Sequence, residues 1–206
     1  MSEECLRSQF ILASASPRRH LLLEQAGYCF DIVPSNVDES LHPVAGISSE
    51  QYASGLALAK AQDVAALFPN APVLGCDTVV DFEGEIIGKP DDAAHAEAIT
   101  RKLFSKPHKV ITGVALVQID RNLVIVKSDT TIVFPRPLTE AQIAQHIRTG
   151  NWEGKAGAYG IQETGDAFIE RIEGSFTNVI GLPMELVEQL LANIGIRPAK
   201  KARSTE

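Results

Sequence analysis

The chain has 206 residues, 45% of them hydrophobic and 22% charged, and carries a formal net charge of −7. That length suits one domain or two small lobes with a sizeable core, and the composition is that of a globular protein. The negative balance excludes a long nucleic-acid backbone as partner, which needs an extended basic face, so any bound phosphate must enter a local cationic pocket.

At the start, Met1-Ser2-Glu3-Glu4-Cys5 lacks a basic n-region followed by an apolar h-region. No later apolar run is long enough to cross a bilayer, so a cytoplasmic protein without membrane contact is predicted. The three cysteines, Cys5, Cys29 and Cys76, form no C-x-x-C pair and no zinc spacing, and read as reduced structural thiols.

Phe10-Ile11-Leu12-Ala13 reads as the end of a buried strand. Ser16 is a suitable N-cap and Pro17 fits the first helical position, so a helix runs to Ala26 and stops at Gly27. Arg18 and Arg19 then lie in the first turn, where a cation opposes the helix dipole by roughly 0.3–1 kcal/mol. Two guanidiniums around free backbone N–H groups suit a bound phosphate; the alternative is a pair of solvated arginines.

A second strand is predicted over Phe30–Val33, then a loop from Pro34 to Ile47. Within the loop, Asp38 and Glu39 are either solvated acids or ligands for a hard cation such as Mg²⁺. Ser48 and Gln51 stand at capping-box spacing and open a helix that ends near Pro69. Lys60 lies in its alanine-rich middle, as a snorkelling surface lysine or a phosphate ligand.

Pro72–Val80 reads as a core strand with Asp77 inside the apolar run. An acid there is costly unless paired, hydrogen-bonded or metal-bound, which marks Asp77 as functional. Glu83-Gly84 can supply the positive φ of a hairpin turn, and Ile86–Pro90 returns, bringing Lys89 toward Asp77. Gly88 permits close approach of a ligand.

Asp91 or Asp92 caps a helix to about Phe104. His95 and His108 read as surface or core fillers. Lys109–Ile119 and Leu123–Phe134 form a second hairpin around Asp120-Arg121-Asn122, with Thr112-Gly113 marking a bulge or a close approach to ligand. Thr139 and Gln142 cap a helix to Arg148 with Gly150 as its stop.

Lys155 stands among Gly154, Ala156, Gly157 and Ala158, in a loop that is not a Walker A motif. Ala167–Ile172 is a further strand, 173–178 a polar turn, and Met184–Ile194 a closing helix. The basic run Lys200-Lys201-Ala202-Arg203 reads as a disordered tail. Strands and helices mix throughout, which predicts an α/β or α+β fold with a mixed sheet and flanking helices.

Arg18, Arg19, Lys60, Lys89 and Lys155 suit a triphosphate, and Glu39 and Asp77 would repel it unless a divalent metal bridges them. That combination points to metal-assisted phosphoryl or nucleotidyl chemistry.

From Phe10 to Ile194 the chain resembles the Maf-like nucleoside triphosphate pyrophosphatases. The matching stretches, in order, are Ala13–Arg19, Val37–Glu39, Ala59–Ala61, Gly75–Val80, Gly88–Pro90, Lys155–Gln162 and Glu173–Pro183. The resemblance implies an α/β fold like that of inosine triphosphate pyrophosphatases. That fold has a long mixed sheet, flanking helices and two lobes around a central cleft, here one domain over 1–196 with a tail over 197–206. It implies hydrolysis of a nucleoside triphosphate to the monophosphate and pyrophosphate, with Mg²⁺ or Mn²⁺ as cofactor, and a homodimer.

Carried over, Asp77 accepts the proton of the attacking water, and Glu39 with Asp77 holds the metal. Arg19, Lys60, Lys89 and Lys155 bind phosphates, with Ser14 and Ser16 beside them. At the specificity positions Arg18, Thr78 and Gln162 the chain is similar to the branch acting on dTTP and UTP rather than on 7-methyl-GTP. A glutamine amide can pair with N3–H and O4 of uracil or thymine. Trp152-Glu153-Gly154 departs from the Pro-Leu-Asp common in that branch. The alternatives are a pyrophosphatase of the same family acting on 7-methyl-GTP or another nucleotide, and a nucleotide-binding regulator, for example of cell division, whose hydrolysis is incidental.

Overall fold

The computed structural model of the protein describes residues 8–43, 46–162 and 168–199. One seven-stranded mixed sheet organises it, in the order β2-β1-β3-β5-β6-β7, with β4 beside part of β3. The strands are β1 (Phe10–Leu12), β2 (Phe30–Ile32), β3 (Val73–Phe82), β4 (Glu85–Ile87), β5 (His108–Gln118), β6 (Leu123–Pro135) and β7 (Ile169–Glu173). β2 and β1 run parallel to β3, and the remaining neighbours are antiparallel. The helices are α1 (Pro17–Gln25), α2 (Ser49–Ala65), α3 (Ala93–Leu103), α4 (Glu140–Thr149), α5 (Phe176–Ile180) and α6 (Met184–Asn193). No helix among the described residues is long and apolar enough to cross a membrane.

Local chemistry sets the boundaries. Capping boxes at Ser48/Gln51 and Thr139/Gln142 open α2 and α4, and Gly150 closes α4 in the left-handed region. Asp92, rather than Asp91, caps α3 through the N–H of His95. Glu83 and Gly84 both take positive φ in the β3–β4 turn, the geometry that matches strand twist in a two-residue hairpin.

Side chains alternate across β3, as strand geometry requires. Val73, Gly75, Asp77 and Val79 face α2; Leu74, Cys76 and Val80 join the larger core on the other side, with Leu22 and Leu23 of α1, Leu103 of α3 and Leu191 of α6. The α2 side is built from small residues, Ala57, Ala61 and Ala65 against Val73 and Ala115. Helix and sheet come unusually close there. A Cβ on Gly75 would lie 2.3 Å from the Ala57 carbonyl oxygen, and one on Gly113 would lie 2.3 Å from that of Ala53.

Several expectations change. Thr112-Gly113 is neither a bulge nor a ligand approach: the β3–β5 register runs unbroken through it, and Gly113 is needed for α2. The expected polar turn over 173–178 instead holds the start of α5, capped by Ser175 through the N–H of Asn178. Of the cysteines, Cys76 is a free thiol buried in the core and pushed up to about 11 by that burial, whereas Cys29 is disulfide-bonded and not reduced. Cys5, Ala167 and the run from Lys200 lie outside the described residues. Arg197 and Ala199 still bond to the body, through Gln9 and Gly27.

Candidate active site

A gap in the sheet makes the site. β1 pairs with β3 only as far as Leu12 opposite Leu74, and β4 joins β3 only from Val80. Between them, Gly75–Val79 has no strand on that side among the described residues. The chain leaves β1 there, at the carboxyl end of a parallel strand, where open α/β sheets bind ligands. A cleft of about 1050 Å³ fills the gap, at the upper end of the range for small-molecule sites.

Ser14, Ser16, Arg18, Arg19, Glu39, Lys60, Asp77, Thr78, Lys89 and Lys155 all line this cleft. Residues from six separate stretches therefore converge. Gln162 does not line it; its side chain is exposed beyond Ile161. The lining holds five cations and four carboxylates, because Asp91 and Glu153 join Glu39 and Asp77.

Its acidic centre is a buried ion cluster. Asp77 is 7% exposed and Lys60 9%. The Lys60 ammonium donates to Asp77 Oδ1 at 2.6 Å and pairs with Glu39 Oε1 at 2.7 Å. Lys60 is therefore buried rather than a snorkelling surface lysine, and the two acids are its contacts in the protein. Burying one of these charges without the others would be strongly unfavourable. Partial burial raises the affinity of Glu39 for a proton, but the hydrogen bond and charge of Lys60, with Lys89 and Arg19 adding to them, hold its carboxyl below the usual range. Tyr52 lies close by; burial, then the charges of Asp77 and Glu39, push its hydroxyl up. Tyr52, Leu56 and Lys60 all line the cleft. Their i, i+4, i+8 spacing on α2 was the available signal for Tyr52.

On the opposite face of β3 stands a second fixed group. Arg19 donates from Nε to the Gly181 carbonyl at 2.8 Å, from Nη1 to Ser14 Oγ at 3.0 Å and from Nη2 to Thr78 Oγ1 at 3.0 Å. Three of its five N–H donors are thus committed to the protein, and two remain for a ligand. Thr78 Oγ1 also lies 3.0 Å from Thr112 Oγ1, which donates onward to the Asn178 carbonyl. Ser14 Oγ accepts the Ser16 N–H, and His20 Nε2 donates to the Ser14 carbonyl. Ser16 is the N-cap of α1 by position, yet its hydroxyl makes no capping bond.

The loop that carries Lys155 forms another wall. Lys155 Nζ donates to the Asn151 carbonyl at 2.5 Å, and the Gly157 N–H donates to the Gly88 carbonyl at 3.1 Å. The second bond joins the Lys155 loop to the segment that carries Lys89.

The donor set suits a hard divalent cation. Two carboxylates already converge on one positive charge, the Lys60 ammonium, which marks a point where a cation is neutralised by oxygen ligands. Among the described residues no group of three or more His, Cys, Asp or Glu could hold a metal. Magnesium is commonly bound by one or two carboxylates, with water and phosphate oxygens completing its shell, so the residues fit.

Fold and cleft together define an α/β protein whose sheet opens on a cleft lined by cations around a buried acid cluster. The family profile described as Maf-like protein matches residues 9–194. Relatives named dTTP/UTP pyrophosphatase include those of Moorella thermoacetica, 46% identical over 92% of this chain and 96% of the relative, and Symbiobacterium thermophilum, 44% identical over 91% and 94%. This chain belongs to the Maf-like protein family. Among solved structures, a HAM1 protein from Coxiella burnetii aligns over 91% of this chain and 98% of its own, at 15% identity and a TM-score of 0.49.

Proposed function

We propose that the protein hydrolyses dTTP and UTP to the nucleoside monophosphate and pyrophosphate. The observation that carries this reading is the Asp77–Lys60–Glu39 cluster set in one cleft with Arg18, Arg19, Lys89 and Lys155. A binding module needs the cations alone; acids placed beside them serve to activate water. The names of the relatives supply the pyrimidine triphosphates.

Arg19, Lys89 and Lys155 grip the triphosphate, with Arg19 already oriented by its three bonds. Asp77 takes a proton from water as the water oxygen bonds to the α-phosphorus. The bond from that phosphorus to the α–β bridging oxygen breaks, and pyrophosphate leaves with the electron pair. Lys60 donates to Asp77 Oδ1 and so fixes the orientation of the carboxylate that accepts the proton. Glu39 and Asp77 would hold Mg²⁺ or Mn²⁺, which when bound neutralises charge on the phosphates.

Base selection rests on Arg18 and Thr78, which line the cleft, while Gln162 would have to turn toward it. The Thr78 hydroxyl is already bonded to Arg19, so a base would meet it as part of that pair.

Incubation with dTTP or UTP and Mg²⁺ should release pyrophosphate and no orthophosphate. Asp77→Asn should lose turnover, by about a thousandfold or more, while a fluorescent nucleotide still binds. Orthophosphate as the first product would overturn the proposal. A panel that includes 7-methyl-GTP, ranked by kcat/KM, tests the pyrimidine preference.

A further inference from the structure

The loop between α4 and Tyr159 is closed onto the last turn of α4 at both of its ends. At the leading end, the Trp152 indole Nε1–H donates to the Ile147 carbonyl at 3.0 Å. At the trailing end, His146 Nε2 lies 2.7 Å from the Ala158 carbonyl oxygen. A carbonyl only accepts, so the imidazole carries its proton on Nε2. Consecutive residues of one helix, His146 and Ile147, therefore tie down positions 152 and 158, and Lys155 lies midway between those ties.

The trailing tie also holds an unfavourable backbone. Ala158 sits in the left-handed region at φ 59°, directly after Gly157 at φ 74°. A residue with a Cβ does not rest there unless its surroundings fix it. Those surroundings are in place. His146 is buried at 4% exposure. The next residue, Tyr159, is held through its hydroxyl to His108 Nε2 at 2.8 Å. His108 Nδ1 donates to the Leu103 carbonyl, so Nε2 accepts from Tyr159.

We propose that His146 and Trp152 are positioning residues that staple both stems of the Lys155 loop to α4, and so set where that lysine meets the phosphates. This rests on the reading of Lys155 as a phosphate ligand, given above. The Trp-Glu-Gly that departs from the commoner Pro-Leu-Asp then has a purpose: the indole N–H provides an anchor that proline and leucine side chains cannot.

The molecule carries its own reporter, because Trp152 is its single tryptophan. Four variants of the full chain test the proposal: His146→Leu, His146→Gln, Trp152→Phe and Lys155→Ala. Loss of the trailing tie in His146→Leu should make Trp152 fluorescence easier to quench with acrylamide. It should also lower kcat/KM for dTTP by about tenfold, mostly through KM. His146→Gln places an amide N–H near the same point and should restore both readouts in large part. Trp152→Phe keeps an aromatic ring but no N–H, and should raise KM in the same way. In a Lys155→Ala background the His146→Leu penalty should shrink, because the lysine it positions is gone. The staple is overturned if His146→Leu lowers only the melting temperature and leaves quenching and KM as in the parent. Should Lys155→Ala itself leave KM unchanged, the phosphate role of Lys155 fails, and quenching alone then decides whether the staple exists.

Discussion

At the scale of single residues, Arg19 shows how a charge becomes a directed group. Its guanidinium fork reaches the Gly181 carbonyl, Ser14 and Thr78 at once, and a lysine, whose three donors radiate from one nitrogen, cannot match that planar fork. Arg19→Lys should therefore lower kcat/KM for dTTP by about tenfold or more while the melting temperature changes little, as steady-state kinetics and thermal unfolding will show. Thr78→Val, which leaves Arg19 with its other two partners, should lose less. Ten of the eleven residues expected at the site, some of them from resemblance alone, line one cleft. Asp77 was legible because an acid inside an apolar run needs a reason. The ion pairs of Lys60 were not, because its neighbours in sequence are alanines and its partners come from a loop and a distant strand. Gln162 was inferred from resemblance, and nothing local could fix where its side chain points.

At the scale of elements, a glycine that seemed to serve a ligand, Gly113, serves a helix, as does Gly75. Gly75 and Gly113 let α2 press against β3 and β5, and that contact carries Lys60 down to Asp77. A methyl at position 75 would collide with the Ala57 carbonyl and with Ala61, so α2 would have to lift. Gly75→Ala should cost about 1–3 kcal/mol of stability or more. It should also reduce turnover, because Lys60 rides on the displaced helix; urea unfolding and pyrophosphate release measure the two effects. Element boundaries were readable wherever caps and turns announced them, as at Ser48, Thr139 and Glu83-Gly84. The short helix α5 was missed for a physical reason. Five residues are too few to display an amphipathic period, and Ser175, Thr177 and Asn178 favour turns in isolation.

At the scale of the whole molecule, one buried histidine makes stability depend on pH. Burial, opposed by hydrogen bonds to the backbone at Lys106 and Leu103, pushes His108 down to about 4. An unfolded chain protonates the same ring near pH 6.5. Between those values the unfolded state binds the extra proton, so stability falls as the pH drops through that window. From pH 7 to pH 5 the loss from this residue should be about 2 kcal/mol. Urea midpoints measured across that range should show it, and His108→Gln should flatten the dependence. The mixed α/β architecture was legible from the alternation of strands and helices, and a local cationic pocket was legible from a chain of net charge −7. The break in the sheet was not, since it depends on where β1 stops pairing and β4 begins.

Asp77 and Thr78 are neighbours in the chain yet look out from opposite sides of β3, one to Lys60 and the other to Arg19. The count of residues between the core anchor Leu74 and this pair therefore carries as much information as their identities. Adding or removing a single residue there would exchange the two: the carboxylate would meet the guanidinium and the hydroxyl would meet the ammonium. Indels in this strand should thus be far less tolerated than most point substitutions.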